Sequence, residues 1–208
     1  MWIGVFGGSF DPVHVGHLVV AEIAREQAGL DRVLFVPAAI QPHKQKIGLA
    51  PAGDRVEMLR LATGGHDAFA VSTLEIERGG VSYTADTVEA LAAEHPGDDL
   101  VLLLGPDALA GLPTWHEPER ILAAVTIRAV EREGVDDVTS LVREPALATL
   151  LGADRAAQVV ATRIRVPAIG IRATDLRAAV AVGHSIRYRT PRAVEQYITT
   201  HGLYRAPR

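Results

Sequence analysis

The 208-residue chain contains no cysteine, which excludes a disulfide framework and any thiolate-held metal and is compatible with a reducing compartment. It has no run long and apolar enough to span a bilayer, and its opening residues lack the charged start and long apolar run of an export signal. The expectation is a cytoplasmic protein without a membrane partner. An excess of basic charge is missing as well. With 21 Lys and Arg against 25 Asp and Glu, the formal net charge is −4, the wrong sign for non-specific nucleic-acid binding. An anionic ligand would therefore be held by a local cluster, and no nucleic-acid partner is expected. There is no internal repeat, low-complexity tract or obvious linker, and 48% hydrophobic residues suffice for a core. Residues 1–208 read as a single domain.

What is present is concentrated first in Met1 to Leu18. An apolar run from Trp2 to Phe6 leads through Gly7, Gly8, Ser9 and Phe10 to His14-Val15-Gly16-His17, after which a helical period begins at Leu18. This reads as strand, tight loop and helix. The glycines permit close approach of the backbone to a ligand, and the start of a helix offers unpaired amides and a favourable dipole to an anion. His14 and His17, three apart, fall on one face of the first helical turn. Glycines also serve ordinary turn geometry. With no cysteine, and no glutamate placed to complete a set, the histidines do not point to structural zinc.

The rest alternates between strand and helix patterns. The first helix ends near Gly29, and Arg32 to Val36 is a buried strand closing at Pro37. The segment after it carries His43, Lys44 and Lys46, at a strand's carboxyl end where ligands bind in open α/β sheets. Asp54 to Thr63 reads as a helix, Ala68 to Ile76 as a strand, and Ala85 to Ala93 as a helix capped by Ser82 or Thr84. Leu100 to Leu104 has the continuous apolar character of a central parallel strand and ends at Gly105-Pro106-Asp107. Leu109 to Ala123 is expected to be helical, with Trp115 beside a Thr114/Glu117 capping-box spacing. A tryptophan is usually core, but this one sits among polar residues, where a stacking role is open to it.

Val125 to Val130 reads as a strand with an unusual internal Arg128, followed by a polar loop carrying Arg132. Asp137 to Leu151 is expected as helix and Gln158 to Val166 as strand. From Ile169 to Arg177 the chain passes into a helix that Thr174 could cap, with Arg177 on the same side of its first turn, a second candidate anion site. Thr190-Pro191 opens the last helix. The succession predicts an α/β fold, a doubly wound Rossmann-like parallel sheet over 1–170 with a small C-terminal helical portion, 171–208.

Taken together, Gly7 to Leu18, Pro42-His43-Lys44, Ser82 to Thr87, Gly105-Pro106-Asp107 with Trp115, and the closing Tyr197-Ile198 and Leu203-Tyr204 follow one order along nearly the whole chain. In that order they resemble the nucleotidyltransferase superfamily with an early His-x-Gly-His signature, and within it the bacterial nicotinate mononucleotide adenylyltransferases. Two stretches depart from the family pattern. Arg172 and Ala173 stand where the late signature carries serine-like residues, so amides or the Arg172 guanidinium would have to replace those hydroxyls. The loop after Arg132 lacks a proline common in the family.

The resemblance implies adenylyl transfer from ATP to nicotinate mononucleotide in NAD synthesis, with Mg²⁺ carried on the ATP phosphates and no protein metal ligand. It implies catalytic roles for His14, His17, Lys44 and Arg177. ATP would be contacted by Gly7, Gly8, Ser9, Phe10, His14, His17, Arg132, Ile171, Thr174 and Arg177. The mononucleotide would be contacted by Gly8, Ser9, His43, Lys44, Thr84, Asp107 and Trp115. The oligomeric state is left open, a homo-oligomer included. Phosphopantetheine adenylyltransferase and a catalytically weak nucleotide-binding regulator of the same fold remain as alternatives.

Overall fold

The computed structural model describes residues 1–40, 49–135 and 137–205. Its apolar runs assemble into a six-stranded sheet of β1 (Trp2–Gly8), β2 (Arg32–Pro37), β3 (Phe69–Val71), β4 (Asp99–Leu104), β5 (Thr126–Arg132) and β6 (Ile164–Val166). Every pairing is parallel, in the order β3-β2-β1-β4-β5-β6. Parallel neighbours need crossovers. The helices that supply them begin with α1 (Val15–Ala28), α2 (Ala52–Thr63), α3 (Leu74–Arg78) and α4 (Thr84–Glu94). They continue with α5 (Pro106–Gly111), a 3-10 turn (Leu112–Thr114), α6 (Pro118–Ala124), α7 (Val138–Leu141) and α8 (Pro145–Ala161), while α9 (Ala173–Ala181) and α10 (Arg192–Thr200) follow the last strand.

Alternate residues of the strands feed two cores, one on each face of the sheet. Ile3, Val5, Leu34, Val36, Leu102 and Leu104 join Leu91, Leu109 and Leu147 on one side. Val33, Phe35, Val101, Leu103, Ile164 and Val166 join Ala21, Leu59, Leu176 and Ile198 on the other. Strand order reverses between β1 and β4, so the crevice at their carboxyl ends is where such a sheet binds ligands. Among the described residues no helix is long and apolar enough to cross a membrane.

The expected doubly wound parallel sheet is present, while several element boundaries differ. The strand expected over Ala68 to Ile76 stops at Val71, where the Ser72 N–H still donates to the Phe35 carbonyl, and Leu74, packed on the core, begins α3. The strand expected from Gln158 is helix as far as Ala161. Val159 falls on the same buried face as Leu147 and Leu151, and period-two burial holds only over Ile164 to Val166. Pro113 and Pro118 divide Leu109 to Ala123 into α5, the 3-10 turn and α6. Pro145 likewise separates α7 from α8, which itself kinks at Gly152.

Several expected caps serve other ends. Ser82 Oγ accepts from the Ala39 amide at 2.9 Å, and Thr84 lies inside α4, whose N-cap is Tyr83. Thr114 donates to the Gly111 carbonyl, and Glu117, in the left-handed region at φ 49°, is the N-cap of α6. Thr190 donates its hydroxyl to the Val13 carbonyl at 2.8 Å, leaving Pro191 as the N-cap of α10.

Candidate active site

At the end of β1 the two glycines have different reasons. A Cβ on Gly8 would lie 3.0 to 3.3 Å from the Phe10 ring, whereas one on Gly7 would meet nothing within 4 Å. Gly8 is thus required by packing, and Gly7 leaves the strand end open beside the crevice. Phe10 holds φ at 47° and is buried at 2% exposure, a backbone state that survives only where the surroundings impose it. Its ring stands edge-on to His17, with centroids 5.0 Å apart. The Phe10 side chain is therefore a wall behind His17, and only its main chain is left to touch a nucleotide.

His14 is the N-cap of α1, and its backbone N–H donates to His17 Nδ1 at 3.2 Å. The two rings stack with centroids 3.7 Å apart. A Cβ on Gly16 would approach the His14 ring to 3.1 Å and Ile169 Cγ2 to 3.5 Å. The glycine between the histidines thus lets one imidazole lie against the helix start and lets the 169–171 segment close over it. Burial pushes the His14 pKa down to about 4; burial, and then repulsion from His14, push His17 down to about 3. Both are neutral at pH 7. Because His17 Nδ1 accepts, its proton resides on Nε2, which makes it a donor. His14 Nδ1 is buried without a hydrogen-bond partner.

Beneath this loop lies a network that sequence reading did not single out. Arg55, in the first turn of α2, is 2% exposed. Its guanidinium donates to the carbonyls of Ala50, Ser9, Ala38 and Ala39 at 2.7 to 3.4 Å. Burial lowers its pKa, and nearby Asp11 opposes that. Asp11, 1% exposed, accepts at Oδ1 from the Ala50 amide at 3.0 Å and from the Tyr204 hydroxyl at 2.6 Å. Arg177 Nη1 donates to the Asp11 carbonyl at 2.7 Å. The C-terminal segment also accepts the Val15 amide on the Arg189 carbonyl at 3.0 Å. A signal for Arg55 existed: it shares a helical face with Met58 and Leu59, both fully buried, and an arginine at that phase of an apolar period needs acceptors.

Of the residues expected to contact the mononucleotide, Thr84, Asp107 and Trp115 fall on α4, α5 and the loop before α6, elements that pack on the core face around Leu91 and Leu109. Ser82 N–H donates to the Ile40 carbonyl at 2.9 Å, so the start of α4 with Thr84 sits beside the β2 extension. Tyr83 meets His116 at a 4.3 Å centroid distance, which docks the Trp115 loop against that start. Trp115 is half-buried, packed on the core around Leu109 and Leu112. Asp107 is exposed in the first turn of α5, directly after the end of β4. His43 and Lys44 lie outside the described residues.

The residues expected to contact ATP beyond the β1 loop lie at the end of β5 and around the start of α9. Arg132 ends β5 and is exposed, and Ile171 packs against the core beneath α9. One expectation for this segment is corrected. Arg172, not Thr174, is the N-cap of α9, with Thr174 exposed one residue inside it. The exposed Arg172 guanidinium pairs with Asp175, three residues on, at 2.8 and 3.3 Å.

An open parallel sheet whose first strand ends in glycines beneath a histidine-flanked helix start, with an arginine entering from a late helix, defines a nucleotide-handling α/β protein. The model of the cytidylyltransferase-like family matches residues 5–179. A protein of Thermomicrobium roseum named "Probable nicotinate-nucleotide adenylyltransferase" is 43% identical over 98% of this chain and 91% of its own. One of the same name from Thermus thermophilus is 43% identical over 99% of this chain and 100% of its own. The solved Plasmodium falciparum nicotinic acid mononucleotide adenylyltransferase complexed with NaAD shares the fold, with a TM-score of 0.72 at 16% identity over 98% of this chain and 97% of that one. The chain belongs to the cytidylyltransferase-like family, within its nicotinate-nucleotide adenylyltransferase group.

Replacing Arg55 by Met strands four carbonyls and the Asp11 charge, and should cost about 3 kcal/mol or more in urea unfolding; a loss under about 1 kcal/mol would contradict the network. The histidine pair gives a pH signature. Its folded pKa values lie below the unfolded value, so in acid the unfolded chain binds protons that the folded chain does not. Stability should therefore fall as pH drops below 6.5, by on the order of 2 kcal/mol per histidine at pH 5. Urea midpoints of the His14→Asn/His17→Asn variant should decline less between pH 7 and 5; an equal decline would place the titration elsewhere.

Proposed function

We propose that this chain transfers the adenylyl group of ATP to nicotinate mononucleotide, giving nicotinate adenine dinucleotide and pyrophosphate in NAD biosynthesis. Membership in the group carries the reading. What supports its mechanism is the pairing of two neutral histidines at a helix start with an arginine from α9 seated against the same loop at Asp11. A 5′-phosphate oxygen of the mononucleotide attacks the α-phosphorus of ATP, and the bond from that phosphorus to the oxygen bridging the β-phosphate breaks as pyrophosphate leaves. The nucleophile is already ionised at neutral pH, so alignment and charge stabilisation suffice, and no base or covalent intermediate is called for.

In this mechanism His17 donates from Nε2 to an α-phosphoryl oxygen as charge develops there. His14, by capping α1 and stacking on His17, sets the direction of that donor and lines the triphosphate path. Gly7, Gly8 and Ser9 let the phosphates approach the main chain, and Arg177 neutralises the leaving group, with Thr174 and the first amides of α9 beside it. Ile171 and Arg132 border the adenosine end. Lys44 and His43 are assigned to the mononucleotide phosphate from the family pattern. Trp115 stacks on the pyridine ring, with amides near Thr84 and Trp115 and the Asp107 turn around the nicotinate carboxylate; an amide substrate would meet donors there without an acceptor.

Mg²⁺, carried on the triphosphate, supplies charge neutralisation. Among the described residues no group of three or more His, Asp or Glu could cage a metal.

The direct test is pyrophosphate release from ATP and Mg²⁺ with nicotinate mononucleotide, nicotinamide mononucleotide or phosphopantetheine. Release with the first is expected to exceed the others, and release with phosphopantetheine alone would overturn the reading. His17→Ala should lower kcat at least about a hundredfold; near-normal turnover would remove His17 from the mechanism. Trp115→Ala should raise KM for the mononucleotide about tenfold and leave KM for ATP in place, whereas the opposite pattern would move Trp115 to the ATP subsite.

A further inference from the structure

We infer that Asp11 is a positioning residue for Arg177: its buried carboxylate, anchored by Tyr204, holds the guanidinium that meets the triphosphate. The inference rests on the adenylyl-transfer reading only in taking the triphosphate to lie at Arg177. Asp11 Oδ1 is fully engaged by the Ala50 amide and the Tyr204 hydroxyl. Oδ2 is buried and accepts no hydrogen bond. A buried carboxylate oxygen without a donor is costly, and a carboxylate kept only to pin the chain would have both oxygens satisfied.

The nearby cations narrow its role. Arg55 is spent on the carbonyls of Ser9, Ala38, Ala39 and Ala50. Arg177 Nη1 stands 3.6 Å from Oδ2, too far for a hydrogen bond, while it donates to the same residue's main-chain carbonyl at 2.7 Å. Its side chain remains 31% exposed. A guanidinium is a planar fork with donors on more than one edge. One edge is thus kept against Asp11, with Oδ2 in reserve as a second acceptor, and another is left for an anion.

Tyr204 fixes the carboxylate from the far end of the sequence. Burial first, then the Asp11 hydrogen bond and charge, drive the phenol pKa up, so it stays protonated and donating at any physiological pH. The closing segment of the chain therefore sets where Arg177 points, through one carboxylate.

A mutant cycle separates this from a purely structural clamp. Binding of ATP and of inorganic pyrophosphate is measured by calorimetry for the parent, Asp11→Asn, Arg177→Gln and the double variant. Asp11→Asn should weaken both ligands about tenfold and leave affinity for nicotinate mononucleotide unchanged. In the Arg177→Gln background it should weaken neither further. Tyr204→Phe should weaken the same two ligands by a smaller factor that also vanishes in that background, and it carries the cycle if Asp11→Asn does not fold.

Equal factors in both backgrounds, or no effect on pyrophosphate, would overturn the inference, as would a parent protein that binds neither ATP nor pyrophosphate. A parent that binds ATP with the expected cycle but makes no dinucleotide would refute the adenylyl-transfer reading and leave the inference standing. Dinucleotide synthesis with an additive cycle would do the reverse.

Discussion

The structure depends on one buried cation. The Arg55 guanidinium gathers the Ser9 carbonyl at the end of β1, the Ala38 and Ala39 carbonyls after β2, and the Ala50 carbonyl before α2. These four points are the exits of two neighbouring strands and the entry of a helix, so one side chain ties three segments together. Taking a guanidinium out of water is costly unless its donors are used, so the burial of Arg55 fixes the spacing of those segments. Asp11 offsets its charge from above and binds the end of the chain through Tyr204. The loop that presents His14 and His17 is thereby held from below by α2 and from the side by the C-terminal segment.

On that base the histidine pair is a preorganised donor rather than a fixed positive charge. Desolvation keeps both rings neutral, and the His14 backbone amide, by occupying His17 Nδ1, assigns the His17 proton to the other nitrogen. A donor oriented before the ligand arrives stabilises charge as it forms in the transition state without reorganising. A positive charge stands beside the same loop: Arg177, from the helix after the last strand, donates to the Asp11 carbonyl at 2.7 Å. This division suits a reaction whose nucleophile needs no activation.

The sheet was legible because its central strands are continuous apolar runs ended by glycine or proline, and the early signature because Gly16 and the histidines leave few other uses for their spacing. What the sequence could not display were relations across long separations. Arg55 lay unremarked within the expected helix from Asp54 to Thr63, since three of its four acceptors come from two distant segments, at Ser9 and at Ala38 and Ala39. Thr174, Thr190 and Ser82 read as caps, because a hydroxyl near a helix start predicts one whether or not a closer carbonyl or amide claims it, as Val13 and Ala39 do for Thr190 and Ser82.

Direct attack of the mononucleotide phosphate on ATP, driven by alignment and charge stabilisation, is the step on which the proposed mechanism turns. It is tested most directly by following the configuration at phosphorus with ATP made chiral by sulfur substitution at the α-phosphate. A single in-line displacement predicts inversion in the dinucleotide product. Retention would require two displacements through a covalent enzyme intermediate and would contradict the account.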